Sequence, residues 1–425
     1  MTPTVKKYLR TRSVHHQWAL QGDEIPVKLS AVVVIPALAE SQHLETTISA
    51  LTQSSEAVLR QSLLICVVNN RRDPYSTPAA REDNERTLQM LDSWQKEGRF
   101  APLSLARVDA ASSGQELPDG EGVGLARKIG LDHGLVLLNA RPASDTPSFL
   151  VSLDADSPPA PEYLDHLFSF YSMPGRHGGY AAYAHSLDAD PAAAEAMIAY
   201  ELYMRYHELH LRWAGSPYAW PALGSIISCT APAYAAAGGM NRHCAGEDFY
   251  FMQQLCKTGA LQPIAGARVH PSGRLSERAP FGTGPHLASG KTRRFLYHPG
   301  TYRLLKKWLA LADERDLLHP ERLPDIAETL SPALHAFLCS KNFFVNWRKI
   351  HAHHGRGTQL DRHFHSCFDG LRTIQWIHYS RDQGLEDLPA EEAFAVLQVR
   401  VGFPESLLGK GEELLLEGLR EWMDR

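Results

Sequence analysis

Ser30-Ala31-Val32-Val33-Val34-Ile35-Pro36 is a run of small and β-branched residues closed by a proline. Apolar on every position, it suits a strand covered on both faces, and the proline marks where the ladder stops. Working outward, Leu63-Leu64-Ile65-Cys66-Val67-Val68 repeats the pattern and ends in Asn69-Asn70. Further strands are expected at 103–108 and at Phe149-Leu150-Val151-Ser152-Leu153. Between the strands, Leu44, Ile48, Leu51 and Leu59 recur at helical spacing, and helices are expected over 80–97 and 122–137. Strands alternating with helices at this rhythm predict βαβ units, hence an α/β fold with a mostly parallel sheet flanked by helices.

Past Gly300 the texture changes to amphipathic stretches, 302–312, 330–344, 391–399 and 412–424, which read as a C-terminal α-helical region. The expected organisation is an extension over 1–29, a domain over 30–299 divided into halves at 30–156 and 157–299, and helices over 300–425. A chain of 425 residues has room for two or three domains. No internal repeat is visible.

Lys plus Arg number 43 against 48 Asp plus Glu, a net charge of −5, which argues against a nucleic-acid partner. The six cysteines are scattered with no C-x-x-C pair, as expected of reduced thiols in a cytoplasmic protein. The first 22 residues carry Lys6, Lys7, Arg10 and Arg12 with no apolar run behind them, so no signal peptide is read. The longest uncharged stretch, 213–241, is broken by prolines and glycines, so no integral membrane segment is expected.

Leu150-Val151-Ser152-Leu153-Asp154-Ala155-Asp156-Ser157 is the segment richest in chemistry. Ligands of open α/β sheets bind outside the carboxyl ends of strands. On an extended chain Asp154 and Asp156 share a face, and two like charges there call for a cation or for hydrogen bonds. Mg²⁺ or Mn²⁺ suits the pair, because such ions take few protein carboxylates and complete their shell with diphosphate and water. An Asp-rich turn is the plainer alternative. Gly122-Val123-Gly124-Leu125-Ala126-Arg127-Lys128 opens a helix where backbone N–H groups, with Arg127 or Lys128, can meet an anion. It is neither a P-loop nor a G-x-G-x-x-G fingerprint. Glu247-Asp248 precedes an expected helix at 249–255; a carboxylate there is either a cap or a base that takes a hydroxyl proton.

Taken in order, the strand with Pro36-x-x-x-Glu40, Asn69-Asn70, Gly122-Val123-Gly124-x-Ala126-Arg127-Lys128-x-Gly130, Leu153-Asp154-Ala155-Asp156, Gly238-Gly239-Met240 and Gly246-Glu247-Asp248 resembles the family 2 glycosyltransferases. The resemblance covers roughly residues 31–287. It implies a GT-A-like, Rossmann-like fold, a nucleotide-sugar donor (UDP-sugar favoured, GDP-sugar possible), a divalent cation on Asp154 and Asp156, and an acidic base in the E-D pair. By the same resemblance Pro36, Ala37, Glu40, Asn69, Arg127, Lys128 and Asp154 are expected at the donor, His270 at the metal, and Asp248 as base with Glu247 beside it. The implied reaction is transfer to a hydroxyl acceptor, with inversion by single displacement. Two positions depart from the family pattern: the first loop has Ala37-Leu38-Ala39 in place of an aromatic and an Asn, and Asn69-Asn70 replaces an acidic residue.

Arg274 and Arg278 share the stretch 272–284 with three glycines and Phe281, which suits closing over diphosphate or acceptor, and Trp220 is a candidate sugar platform, with core packing as the alternative. A nucleotidyltransferase of related fold is the first rival reading. It would carry glycines and a cation after the first strand, where this chain has Pro36-Ala37-Leu38-Ala39. An inactive nucleotide-sugar-binding scaffold is the second.

Overall fold

The computed structural model describes residues 2–140, 148–187, 191–274, 295–354 and 359–424. The backbone divides into two compact units, Met1–Ala193 with Ala222–Ser289 and Asp424, and Ala194–Pro221 with Gly290–Met423. The boundary therefore does not fall at a single point near residue 300. The Pro191–Trp213 helix leaves the first unit after three residues and belongs to the second.

The first unit is built on an eight-stranded, mostly parallel sheet flanked by helices. Its strands are β1 (Leu20–Gly22), β2 (Ala31–Ala37), β3 (Ser62–Asn69), β4 (Ser104–Ala110), β5 (Phe149–Ser152), β6 (Gly178–Tyr183), β7 (Ile227–Thr230) and β8 (Leu261–Val269), in the order β1-β4-β3-β2-β5-β7-β6-β8. β2, β3, β4 and β5 run parallel, β7 is antiparallel to its neighbours β5 and β6, and β1 is an antiparallel edge on β4. All seven residues of β2 and all eight of β3 are buried, and every position is apolar except Ser62 and Asn69 at the two ends of β3. Pro36 is tolerated inside β2 because pairing with β5 ends at Val34↔Ser152, so its missing N–H falls beyond the last rung on that side.

From β2 the chain winds outward through β3 to β4, then returns to the other side of β2 as β5. The order reverses between β2 and β5. That switch point is where the carboxyl-end loops diverge and leave a crevice. The Val123–Ala140 helix lies against β2, β3 and β5 and approaches closely because it is small where it touches the sheet. A Cβ on Gly130 would stand 2.4 Å from Val34 Cγ1, and one on Gly134 2.7 Å from Leu150 Cδ2.

Residues 1–29 contribute a helix and the edge strand of the sheet. The Pro3–Thr11 helix, capped by Thr2 with Pro3 in its first turn, buries Val5 and Tyr8, and β1 extends the sheet. The Tyr8 hydroxyl donates to Asp132 (2.6 Å), which is fully buried and also accepts from the Val14 N–H (2.8 Å) and the Tyr234 hydroxyl (2.9 Å).

The second unit is helical. Its expected helix over 330–344 is divided: one helix stops at Leu330, Ser331 caps the next through the Leu334 N–H, and Pro332 sits in the first turn of that next helix, which ends at Ser340. The core is aromatic, with Trp308 at 5.5, 5.2 and 6.0 Å between ring centroids from Phe343, Phe364 and Phe368. No helix among the described residues is long and apolar enough to cross a membrane.

Candidate active site

β5 stops at Ser152, so Asp154-Ala155-Asp156 lies in a turn past the strand and not on an extended chain. The alternation argument for a shared face therefore does not apply. The turn is fixed instead by the Leu153 N–H donating to Val34 O (3.0 Å), the Ser157 N–H to Asp154 O (3.2 Å), and the Thr47 hydroxyl to Ala155 O (2.7 Å). The side chains of Asp154 and Asp156 keep 30% and 23% exposure, so both reach solvent.

Arg127, near the start of the Val123–Ala140 helix, is the hub. Its Nε donates to Glu247 Oε1 (3.0 Å), Nη1 to the Ser152 hydroxyl (2.8 Å), and Nη2 to Asp154 Oδ1 (2.5 Å). One guanidinium thus ties the turn after β5 to the start of the Glu247–Thr258 helix. Arg127 is only 4% exposed. Burial works against its charge, but Asp154, Glu247 and Asp248 more than offset that and raise its pKa.

Arg274 forms a second bridge across the switch point. Its Nη2 donates to Asp156 Oδ2 (2.8 Å) and also to Glu40 Oε1, from the loop after β2. The segment after β8 is held beside the Asp156 turn, with the Ser272 N–H donating to Asp156 O (3.1 Å) and the His270 N–H to Pro158 O (3.0 Å). Half-buried His270 therefore stands on the strand of chain that flanks the acidic turn.

Glu40, Asp154, Asp156, Glu247 and Asp248 share two guanidiniums, which leaves the site rich in negative charge. Burial, followed by the charge of Glu40, pushes the Asp156 carboxyl up to about 6 against the pull of Arg274. Burial and then Glu247 push Asp248 up to about 7, against the Phe249 N–H it accepts (2.7 Å) and Arg127. Glu247 is locked by Arg127; Asp248, half-buried beside it, is the carboxyl left poised near neutrality.

Among the described residues no three carboxylate, imidazole or thiol groups form a metal cage. The donor set still fits Mg²⁺ or Mn²⁺, which take one or two protein carboxylates and fill the remaining positions with phosphate oxygens and water. Asp154 and Asp156 would hold such an ion from one turn, with His270 on the neighbouring segment, and its charge would answer the local acidic excess.

Other sequence candidates occupy different surroundings. Lys128 turns to the Asp132 knot, with Nζ 2.5 Å from the Tyr8 hydroxyl and 3.1 Å from Asp132 Oδ2. Burial lowers its pKa against the pull of Asp132. Gly122 and Gly124 pack against the 241–244 loop, where Cβ atoms would stand 3.1 Å from Cys244 Cα and 2.4 Å from His243 O; they serve chain packing. Trp220 is 6% exposed. Arg278 lies outside the described residues.

Asn69, at the end of β3, is buried, and its Oδ1 has no hydrogen-bond partner among the described residues. Sequence reading missed Asn84, which joins the two loops of this corner: its Oδ1 accepts from the Ala39 N–H (2.8 Å) and its Nδ2 donates to Asn69 O (3.1 Å). The signal was the spacing Asn84, Thr87, Leu91, Trp94 of the buried helix face. Pro36 and Ala37 close β2 in the same corner.

No family model matches the chain, and no curated protein matches it. Solved structures are similar to it at low scores. S. aureus TarS 1–349 in complex with UDP-GlcNAc gives a TM-score of 0.38 at 10% identity, covering 92% of this chain and 90% of that one. The mannosyltransferase PcManGT from Pyrobaculum calidifontis in complex with GDP-Man and Mn²⁺ gives 0.36 at 11%, covering 99% and 90%. M. tuberculosis glucosyl-3-phosphoglycerate synthase gives 0.31 at 14%, covering 65% and 80%. The functional reading is taken from the site itself.

Proposed function

We propose that the chain is a GT-A-like glycosyltransferase that moves a sugar from a nucleotide-sugar donor to a hydroxyl acceptor. The observation that carries the reading is the Arg127 bridge, which brings an acidic turn at the switch point and a poised acidic helix start within reach of one guanidinium. A crevice at that point is where an α/β sheet takes a nucleotide. Asn69 Oδ1 suits a base N–H, such as those of uracil or guanine, and UDP-sugar is the favoured donor.

A bound Mg²⁺ or Mn²⁺ supplies charge neutralisation for the departing nucleoside diphosphate. The chain's own groups do the rest. Asp154 and Asp156 would hold the ion, and Arg274, which pairs with Asp156, supplies a guanidinium for phosphate. Asp248 takes the acceptor proton at its carboxylate as the hydroxyl oxygen attacks from the face opposite the leaving group, which inverts the sugar. Glu247, paired with Arg127, stands beside the base and raises its pKa by its charge. Desolvation of the closed crevice strengthens each of these interactions.

The test is donor turnover, by hydrolysis or transfer, with UDP- and GDP-sugars and Mn²⁺ across pH. A base pushed up to about 7 gives an acid limb in kcat/KM with a midpoint near that value. Glu247→Gln removes the neighbouring charge that raises Asp248, so the limb moves to lower pH. A limb that stays in place removes Asp248 from the role of base. Tight donor binding with no turnover at any pH leaves a binding scaffold.

A further inference from the structure

The helical unit carries a cationic surface that the catalytic reading does not use. Arg303, Lys306 and Lys307 are exposed on the Pro299–Leu309 helix, at spacings that put them on one side. Lys306 Nζ stands 4.2 Å from the centroid of Trp213, and Arg400 Cζ stands 4.3 Å from the same centroid. Arg400 is positioned further by donating from Nη1 to Pro299 O (2.8 Å).

No carboxylate among the described residues forms an ion pair with Arg303, Lys306, Lys307 or Arg400. The nearby acid is Asp387, which pairs with Arg381 at 3.8 Å. Half-buried His298 adjoins the group, and its pKa is lowered by burial and then by Arg303 and Arg400. Burial and then Arg303 likewise lower that of Arg400.

Exposed lysines are commonly just solvated. Here, however, like charges crowd together beside one acid, Asp387, which is itself paired with Arg381, in a chain whose net charge is −5. Two of them are also held in place over an indole ring, so less side-chain freedom is lost when they meet an anion. Guanidinium and ammonium side by side match phosphate oxygens.

Building on the proposed transferase activity, we propose that this Trp213 surface binds a phosphate-bearing acceptor chain. A phosphate polymer is favoured over nucleic acid because both cations sit on the indole, which takes up that ring as a platform for stacking a base.

The test uses the full chain and inorganic polyphosphate as probe, followed by fluorescence competition. Wild type binds in a salt-dependent manner. Arg303→Glu with Lys306→Glu, both exposed, weakens binding at least tenfold and flattens the log–log salt dependence, while Asp248→Asn binds as wild type does. Four results overturn the proposal: unchanged affinity in the charge-reversed protein, an equal loss in the control Arg348→Glu with Lys349→Glu on another helix, full competition by orthophosphate at equal phosphorus, and tighter binding of single-stranded RNA. An enzyme that turns over its donor while the charge-reversed protein binds polyphosphate unchanged overturns this surface alone. Absent turnover with the charge dependence intact overturns the activity and not the anion surface.

Discussion

Asp248→Asn lowers transfer by about 10²–10⁴-fold, the usual contribution of a positioned general base. The same substitution stabilises the metal-free protein above neutral pH. The Asp248 carboxyl is raised in the fold to about 7, so the folded state holds its proton more tightly than the unfolded chain does. Its ionisation therefore subtracts stability as pH rises from the ordinary carboxylate range through about 7. Asparagine carries no charge at any pH and removes that cost. The gain is about 1–3 kcal/mol at pH 8, discounted for partial exposure, and vanishes near pH 4. Loss of activity together with higher Tm at pH 8 is the expected pair of readings from kinetics and thermal melts. Lost activity with a lower Tm at pH 8 assigns Asp248 to the scaffold.

Arg127→Met has the opposite signature. The thioether fills much of the space but leaves Glu247 buried with its charge unanswered, while Asp154 can still turn to water. Removing one partner of a buried pair costs about 3–5 kcal/mol. Stability at neutral pH falls by that amount in denaturant melts, and transfer falls with it because the acidic turn and the helix start lose their common tie. The double change Arg127→Met with Glu247→Gln recovers stability at pH 7 without recovering full transfer. A single variant as stable as wild type contradicts the hub role of Arg127.

The sheet was legible because β2 and β3 are buried on both faces, and only strands of continuous apolar residues satisfy that. The chemical segments were legible as short ordered motifs, which brought Arg127, Asp154, Glu247 and Asp248 to attention. What the sequence did not carry was pairing across long separations. Nothing local tells whether Arg127 or its neighbour Lys128 faces the crevice; the difference comes from Tyr8 and Asp132, which claim the lysine. The N-terminal helix was missed because it buries just Val5 and Tyr8, too few apolar positions for a periodic signal. The link from Arg274 to Glu40 spans 234 residues and follows from the switch point, not from spacing.

Under the proposed function the acidic turn is the seat of a cation with a nucleoside diphosphate. Melting curves of the full-length protein with UDP or GDP, with and without Mn²⁺, measure this. The expected result is a rise in Tm that needs both nucleotide and Mn²⁺, reaching about 2.7 kcal/mol of added stability at a hundredfold excess over Kd, and absent in Asp156→Ala. An equal rise in Asp156→Ala, or a wild-type rise indifferent to Mn²⁺, contradicts it.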